Sequence, residues 1–365
     1  MDKLQTAREI INKADKEMAR LFKERMEAAK LVAEYKREHG LPIYDQKREE
    51  EVINRNSLLV EDEEIRSYYV SFLKNVMDIS KNYQHKLLEG AKIAYSGVEG
   101  AFAHIAAGKI FPTANLVSYR GFEDAYRSVA EGECDAAILP IENSYAGEVA
   151  QVTDLMFDGS LFVTGIYDLE ITHNLLGVEG ANIEDVKTVI SHPQAISQCS
   201  AYIKEKRFET KEATNTAMAA QSVANSKDKS VAAIASKETA KLYGLKVIDH
   251  HINSSRTNTT RFAVFSKAEN KIVSSDTTQF ILLFTVNHEA GALAKAISII
   301  GRYGFNMNAL RSRPIKGKNW EYYFYVEASG DISGKIGELM LSELSEYCDT
   351  VKVAGKYSDE KILSE

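Results

Sequence analysis

Between Leu4 and Glu38 the chain has neither proline nor glycine and consists mostly of good helix formers, which predicts one long helix with Gly40 and Pro42 as its stop. Apolar residues recur along it every seven positions: Leu4, Ile11, Met18 and Val32 form one row, and Ala7, Ala14, Leu21, Ala28 and Tyr35 the other. Arg25 interrupts the first row. A guanidinium there is costly unless it meets an anion, either a carboxylate on a partner helix or a bound ligand. Helices from about Asp45 to Leu59 and from about Glu61 to Leu88 supply neighbours, the latter carrying Tyr69, Phe72, Leu73, Val76, Ile79 and Tyr83. Three helices so unequal in length close poorly alone, so the pattern predicts a helical dimer.

Lys36 stands about 20° around the helix from Arg25 and roughly 16 Å along it, so the two long side chains could bracket a small dianion. Arg8 lies about 100° away and points to a different neighbour, such as a second subunit. With Asp45, Arg48 and Glu49 in a DxxRE pattern, then Ser80 and Gln84, the series resembles the all-helical chorismate mutases along this whole segment. The resemblance implies that Arg25 and Arg8 hold substrate carboxylates, Arg8 from the opposite protomer. It also implies that Lys36 and Gln84 address the ether oxygen, and that Arg48, Glu49, Asp45 and Ser80 complete the pocket. A pericyclic rearrangement suits such a cage: it needs a fixed conformer and positive charge where the breaking C–O bond gathers electrons, and no nucleophile.

A chain of 365 residues has room for two or three domains. No apolar stretch approaches the roughly 20 residues that cross a bilayer, and the charged amino terminus is not a signal peptide. Cys134, Cys199 and Cys348 lie far apart with no CxxC, so neither disulfides nor a metal site is indicated, and the cytoplasm is the expected compartment. A net charge of -7 argues against nucleic acid as a partner and leaves a small anionic substrate open. No cofactor motif is present.

Past Gly90 the helical period gives way to short apolar runs alternating with helices, which predicts α/β architecture, plausibly two lobes around a cleft. Polar residues gather at strand ends. The buried-strand pattern of Ala136 to Ile141 opens onto Glu142, Asn143 and Ser144; His173 and Asn174 follow another strand; Ser191, His192, Pro193 and Gln194 open a helix; Asn258, Thr259, Thr260 and Arg261 precede a strand beginning at Phe262. Small ligands bind beyond strand carboxyl ends in open α/β sheets, although each group also reads as a turn or a cap. GVEGAFAH, PIENS, SHPQA and TTRF, in that order, resemble the prephenate dehydratases over about Ala91 to Lys267. The implied fold is two-lobed and related to periplasmic binding proteins. The resemblance assigns Thr260 as the catalytic hydroxyl, Arg261 as the carboxylate-binding cation, and Asn143, Ser144, Gln194 and the loop around Gly100 as substrate contacts. His173 is a further substrate-binding candidate, and Phe262 would pack beneath the site. Glu142 reads as a structural or hydrogen-bonding residue rather than a catalytic acid.

After a polar linker from Lys267 to Thr278 comes a βαββαβ order, ferredoxin-like and α+β. Gly291, Ala292 and Leu293, with Ser312, Arg313 and Pro314, resemble the amino-acid-sensing ACT domains, with phenylalanine as the implied effector where two such domains meet. That family usually has Glu before the SRP triplet; here it is Arg311, which reverses the local charge. The expectation is therefore three domains: all-α over residues 1–89, α/β over 91–267 and α+β over 278–356. Together they would convert chorismate to prephenate and prephenate to phenylpyruvate as a homodimer or homotetramer. Arogenate, which shares the ring and the leaving groups, stays open as an alternative to prephenate. So does a noncatalytic amino-acid-responsive binding protein built on the same folds.

Overall fold

The computed structural model describes residues 2–39, 41, 45–255, 257–270, 278–358 and 361–363. Gly40, Pro42 and the 271–277 portion of the expected linker lie outside the described residues. Two compact units divide the chain, residues 1–92 and 93–365.

The first unit is helical: α1 (Lys3–Glu38), α2 (Gln46–Ser57) and α3 (Glu63–Glu89). Asp2, Asp45 and Asp62 cap the three amino termini through their carboxylates, and Gly90 ends α3 with a positive φ of 81°. Its buried residues include Ala29, Ala33, Leu73, Met77, Ser80 and Gln84. The two heptad rows of α1 remain largely uncovered, with Leu4 55% and Tyr35 56% exposed, so most of the apolar seam faces out of a single protomer.

The second unit begins with β1 (Lys92–Ser96), α4 (Phe102–Ile110), β2 (Asn115–Tyr119), α5 (Phe122–Glu131), β3 (Ala136–Asn143), β4 (Gly147–Glu148), α6 (Ala150–Asp158) and β5 (Phe162–Glu170). The chain then builds a second lobe from β6 (Asn174–Gly177), β7 (Thr188–Ser191), α7 (Pro193–Gln198), α8 (Ser200–Lys206), β8 (Glu209–Glu212), α9 (Thr216–Ser226), β9 (Val231–Ala235), α10 (Lys237–Tyr243) and β10 (Lys246–Asp249). It returns to the first lobe as β11 (Thr259–Ser266). The stretch Pro193–Lys206 forms two helices, because Cys199 ends α7 with its N–H bonded back into that helix and α8 restarts beyond it.

The second lobe has its own five-stranded sheet, ordered β10-β6-β9-β7-β8. The two crossings between lobes are tied together, with Ile171 N–H donating to Asn258 O at 2.7 Å and Ile252 N–H to His173 O at 2.9 Å. In the first lobe β11 lies antiparallel to both β3 and β5, and its register sets Thr260 opposite Asn143 and Arg261 opposite Glu142.

The remainder is β12 (Thr278–Thr285), α11 (Ala292–Arg302), β13 (Asn306–Pro314), β14 (Tyr322–Ser329), α12 (Lys335–Ser345), β15 (Thr350–Ser358) and β16 (Lys361–Leu363). Four of these strands are ordered β13-β14-β12-β15, and alternate residues of β12 face two cores. Phe280, Leu282 and Phe284 pack beneath α11 and α12 with Ile299 and Met340, while Ile281 and Leu283 join Leu139, Ile141 and Ala263 of the first lobe.

This last segment is not a separate bead. β15 continues past Val353 and pairs in parallel with β5, Gly355 opposite Val163, so the sheet runs on as β13-β14-β12-β15-β5-β11-β3-β1-β2. A glycine such as Gly355 ordinarily weakens a strand interior. In place it serves close approach: a Cβ there would stand 2.2 Å from the Val163 carbonyl oxygen. Gly355→Val is therefore expected to cost about 1–3 kcal/mol, read as a lower urea midpoint of the second unit. An unchanged midpoint would mean that the sheets do not join there.

Candidate functional site

Two sets of polar side chains merit attention, one in each unit. In the helical unit Arg25 leaves the exposed seam and turns to α3, where its guanidinium donates to Ser80 Oγ and, at 3.3 Å, to Val76 O. Both partners are neutral, and burial lowers its pKa below the ordinary arginine value. A half-buried cation with no carboxylate bonded to it among the described residues is poised for an anion. Gln84, one turn beyond Ser80 on α3, is buried with its Oε1 unpartnered.

The other members have local roles within one protomer. Asp45 caps α2, accepting from Arg48 N–H at 3.0 Å. The Arg48 guanidinium reaches Glu51 at 3.4 Å, and Glu49 pairs with Lys81 at 2.8 Å. Arg8 is exposed and Lys36 is partly buried. Lys81 was not anticipated from sequence; its spacing of one residue from Ser80 placed it off the face being read.

In the second unit a cavity of about 620 Å³ lies between the lobes, lined by Asn143, Thr260 and Phe262 from one side and by His192, Gln194 and Thr216 from the other. Asn143 Nδ2 donates to Thr260 Oγ1 and to Asn258 Oδ1, each at 2.9 Å, while its Oδ1 is held by the N–H groups of Tyr145 at 3.0 Å and Ala146 at 2.9 Å. Those backbone donors identify the oxygen of the Asn143 amide. Thr260 Oγ1 thus accepts a bond from behind, and its own proton is left to donate into the cavity.

The same logic extends outward. Asn258 Nδ2 donates to Gln198 Oε1 at 3.1 Å, so that oxygen is an acceptor and His173 Nε2, 2.8 Å from it, carries the proton. His173 lines the cavity, and its Nδ1 is then an acceptor, buried and without a partner among the described residues. Burial lowers the His173 pKa and keeps the ring neutral. Gln198 escaped the sequence reading, although it lies one helical turn beyond Gln194 on α7 and so shares its face.

Three expected contacts lie elsewhere. Arg261 follows Thr260 on a pleated strand, so its side chain leaves from the opposite face; it does not line the cavity but pairs with Glu142 at 3.1 Å and Glu327 at 2.8 Å. Ser144 is exposed and braces the loop before β11, donating to Thr257 O and accepting from Thr259 N–H, both at 2.9 Å. Gly100 is buried away from the cavity, with its N–H on His104 Nδ1 at 3.2 Å and its carbonyl accepting from Thr239. Gly97 lines the cavity in its place. Among the lining residues Arg120 is the one Arg or Lys, and the amino termini of α4 and α9 open onto the same space. Ala101, at the cap of α4, makes no side-chain cap bond. Glu148 also lines it, with a buried and unpartnered Oε1.

Of the residues resembling a regulatory site, Gly291 caps α11 with φ 86°, Ala292 begins that helix and Leu293 packs on its core. Ser312 and Pro314 are exposed, whereas Arg313 is engaged by Asp154 at 2.8 Å. Among the described residues no cluster of three or more His, Cys, Asp or Glu could hold a metal ion, and no helix is long and apolar enough to cross a membrane.

The family model for prephenate dehydratase matches residues 93–270 and that for chorismate mutase type II matches residues 7–85. A bifunctional chorismate mutase/prephenate dehydratase of Buchnera aphidicola is 30% identical over 370 residues, covering 97% of this chain and 96% of the relative. Among solved structures, GqqA, described as a novel type of quorum quenching acylase, has 29% identity and a TM-score of 0.68 over 73% of this chain and 97% of that one. Prephenate dehydratase of Arthrobacter aurescens in complex with L-Phe has 24% identity and a TM-score of 0.68, over 73% of this chain and 90% of that one.

The buried imidazole makes stability sensitive to acid. With the folded pKa of His173 below the ordinary 6.5, the unfolded chain binds the proton first, so its contribution is complete above about pH 6.5 and is lost as pH falls below that value. Urea midpoints from about pH 7.5 to about pH 5.5 should fall for the native chain and fall less steeply for His173→Gln.

Proposed function

The chain belongs to the bifunctional chorismate mutase/prephenate dehydratase family, and from that premise we propose how its residues share the two reactions. The helical unit rearranges chorismate to prephenate, and the second unit converts prephenate to phenylpyruvate by loss of the ring hydroxyl and carbon dioxide, in phenylalanine biosynthesis.

In the mutase, Arg25 binds a substrate carboxylate, a role supported by its half-burial beside neutral partners only. Gln84 and Lys36 address the ether oxygen, with Ser80, Asp45, Arg48 and Glu49 around them. The exposed seam of α1 is covered by a second copy, which carries its own Arg8 into the pocket; the uncovered Leu4, Ile11 and Leu21 support this. Neutralising a developing negative charge in a dry cage is sufficient for the rearrangement.

In the dehydratase, Thr260 is the catalytic hydroxyl, and the observation that carries this is its bond from Asn143 at 2.9 Å. With that lone pair occupied, the Thr260 proton hydrogen-bonds the departing hydroxyl as the C–O bond breaks. The electron pair of the ring-carboxylate C–C bond flows into the ring, which becomes aromatic, and carbon dioxide and hydroxide leave, the hydroxide taking a proton from solvent water. A hydroxyl is a weak acid, so it stabilises the leaving group by hydrogen bonding rather than by full proton transfer. Arg120 and the amides at the start of α4 take the carboxylate role that the family resemblance implies for Arg261, and Gln194 and His173 orient the rest of the substrate.

Three functional segments, over residues 1–89, 91–267 and 278–356, remain our division of the chain, the last an ACT-type regulatory domain sensing phenylalanine. L-Phe in the Arthrobacter aurescens structure supports this effector.

Supplied with chorismate, Arg25→Ala should lose the first step by a factor on the order of a hundred or more while still converting added prephenate. Thr260→Val should accumulate prephenate, with its second step down by a similar factor. Loss of both steps in either folded variant would overturn the two-site assignment, and phenylalanine as product from added arogenate at a higher kcat/KM would move the substrate preference. Rising phenylalanine should lower dehydratase turnover and change the size of the oligomer in sedimentation; no response in either would remove the sensing role.

A further inference from the structure

Glu142 and Asn143 are consecutive on β3, and Arg261 and Thr260 are consecutive on β11, so the pleat that sends Asn143 and Thr260 into the cleft sends Glu142 and Arg261 to the other face of the sheet. Behind the sheet Glu142 meets two guanidinium groups, Arg261 at 3.1 Å and Arg311 at 2.7 Å. Arg261 in turn makes two bonds to Glu327 of β14, at 3.1 and 2.8 Å, and the Glu327 side chain is only 3% exposed. Arg311 comes from β13. Two residues further along that strand Arg313 donates to Asp154 at 2.8 Å, and Asp154 belongs to α6, whose first turn lines the cavity through Gln151.

Alternate side chains of one strand therefore hold the two elements that flank the β3–β4 corner of the cleft. Holding the C-terminal segment in place does not require them, because β15 already pairs with β5 and Lys352 Nζ bonds the carbonyl oxygens of Met156 at 2.6 Å and Phe157 at 3.1 Å. Their pairing is specific: Arg311 lies 2.7 Å from Glu142 and 3.8 Å from Glu327, and Arg313 meets Asp154, which Lys316 also pairs at 3.1 Å.

We propose that Arg311 and Arg313 are positioning residues of the dehydratase centre, acting through Glu142 and Asp154 to fix the backbone that presents Asn143 to Thr260. The inference rests on the assignment of dehydratase chemistry to Thr260. It also gives Arg311, the position where the chain departs from the ACT pattern, a function toward the active site. Removing Arg311 takes away one of the two guanidinium groups on Glu142 and leaves that carboxylate, still bonded to Arg261, free to rearrange. A displacement of about 1 Å at a reacting group can cost up to a hundredfold in rate.

The test uses the full-length protein, with the circular dichroism spectrum and the urea midpoint of the second unit in each preparation as the measure of folded enzyme. With prephenate as substrate, Arg311→Ala is expected to lower kcat about tenfold with KM changed less than about twofold. Arg311→Lys should recover most of that loss, and Arg311→Ala combined with Glu142→Gln should be little worse than Arg311→Ala alone. The pH profile should keep its shape in Glu142→Gln, as a positioning role requires and a general acid would not allow. If Arg311→Ala does not fold, Arg311→Gln, neutral and close in length, is read in the same way. A kcat within about twofold of the native value in the folded Arg311 variant, with Thr260→Val inactive, overturns the positioning role alone. Retained turnover in Thr260→Val overturns the Thr260 assignment beneath it.

Discussion

The antiparallel pairing of β3 with β11 is the constraint on which the second unit depends. It brings together segments more than a hundred residues apart in sequence, sets Asn143 against Thr260 on one face and Glu142 against Arg261 on the other, and places β11 beside β5 in the same sheet. Because strand side chains alternate, a slip of β11 by one residue would turn over its whole side-chain set and break both pairs. Arg261 would then enter the cleft beside Asn143, or Thr260 the charged layer beside Glu142. The core on either side, with Ile138, Leu139, Ala263 and Phe265 all buried, makes such a slip prohibitively costly.

From this pairing a polar chain runs outward through Asn143, Asn258 and Gln198 to His173, with donor and acceptor roles fixed at each link by backbone N–H groups or by the next side chain. Such a network is favourable only when fully satisfied, and here its two open ends, the Thr260 proton and His173 Nδ1, both belong to residues lining the cavity. The unsatisfied capacity is thus concentrated where a substrate would supply it. In the helical unit the bonds of Arg25 among the described residues are likewise to neutral groups, Ser80 and Val76.

A second layer of charge lies behind the sheet. Arg261, Arg311, Glu142 and Glu327 form a compact group of two cations and two anions, backed by the buried Tyr325 hydroxyl, which donates to Glu327. It is enclosed because β12 to β15 continue the sheet of the first lobe and share its core, Ile281 and Leu283 packing with Ile141 and Ala263. Asp168, opposite Arg261 on β5, has its pKa raised chiefly by burial, against the lowering effect of Arg261 and with further upward pressure from Glu142 and Glu327.

Much was determined by sequence alone. The long proline-free and glycine-free stretch dictated α1, the switch from helical period to short apolar runs dictated the α/β region, and the βαββαβ order was written in its alternating periods, because local propensity and burial act over neighbouring residues. Thr260, Asn143, Gln194 and Phe262 could be marked as a group through the resemblance of PIENS, SHPQA and TTRF to the prephenate dehydratases, and His173 through its place after a strand. Which face each side chain takes was another matter. Arg261 and Ser144 are adjacent to cavity residues yet do not line it, Gly100 turned out to be a packing position, and Arg120, Glu148 and Gln198 line the cavity without having been marked. Nor did the chain's linear pattern disclose that Gly355 fuses two sheets, or that Arg311 and Arg313 reach Glu142 and Asp154 across more than 150 residues. Those outcomes depend on strand register and on close approach between distant segments, and only the tertiary structure sets either.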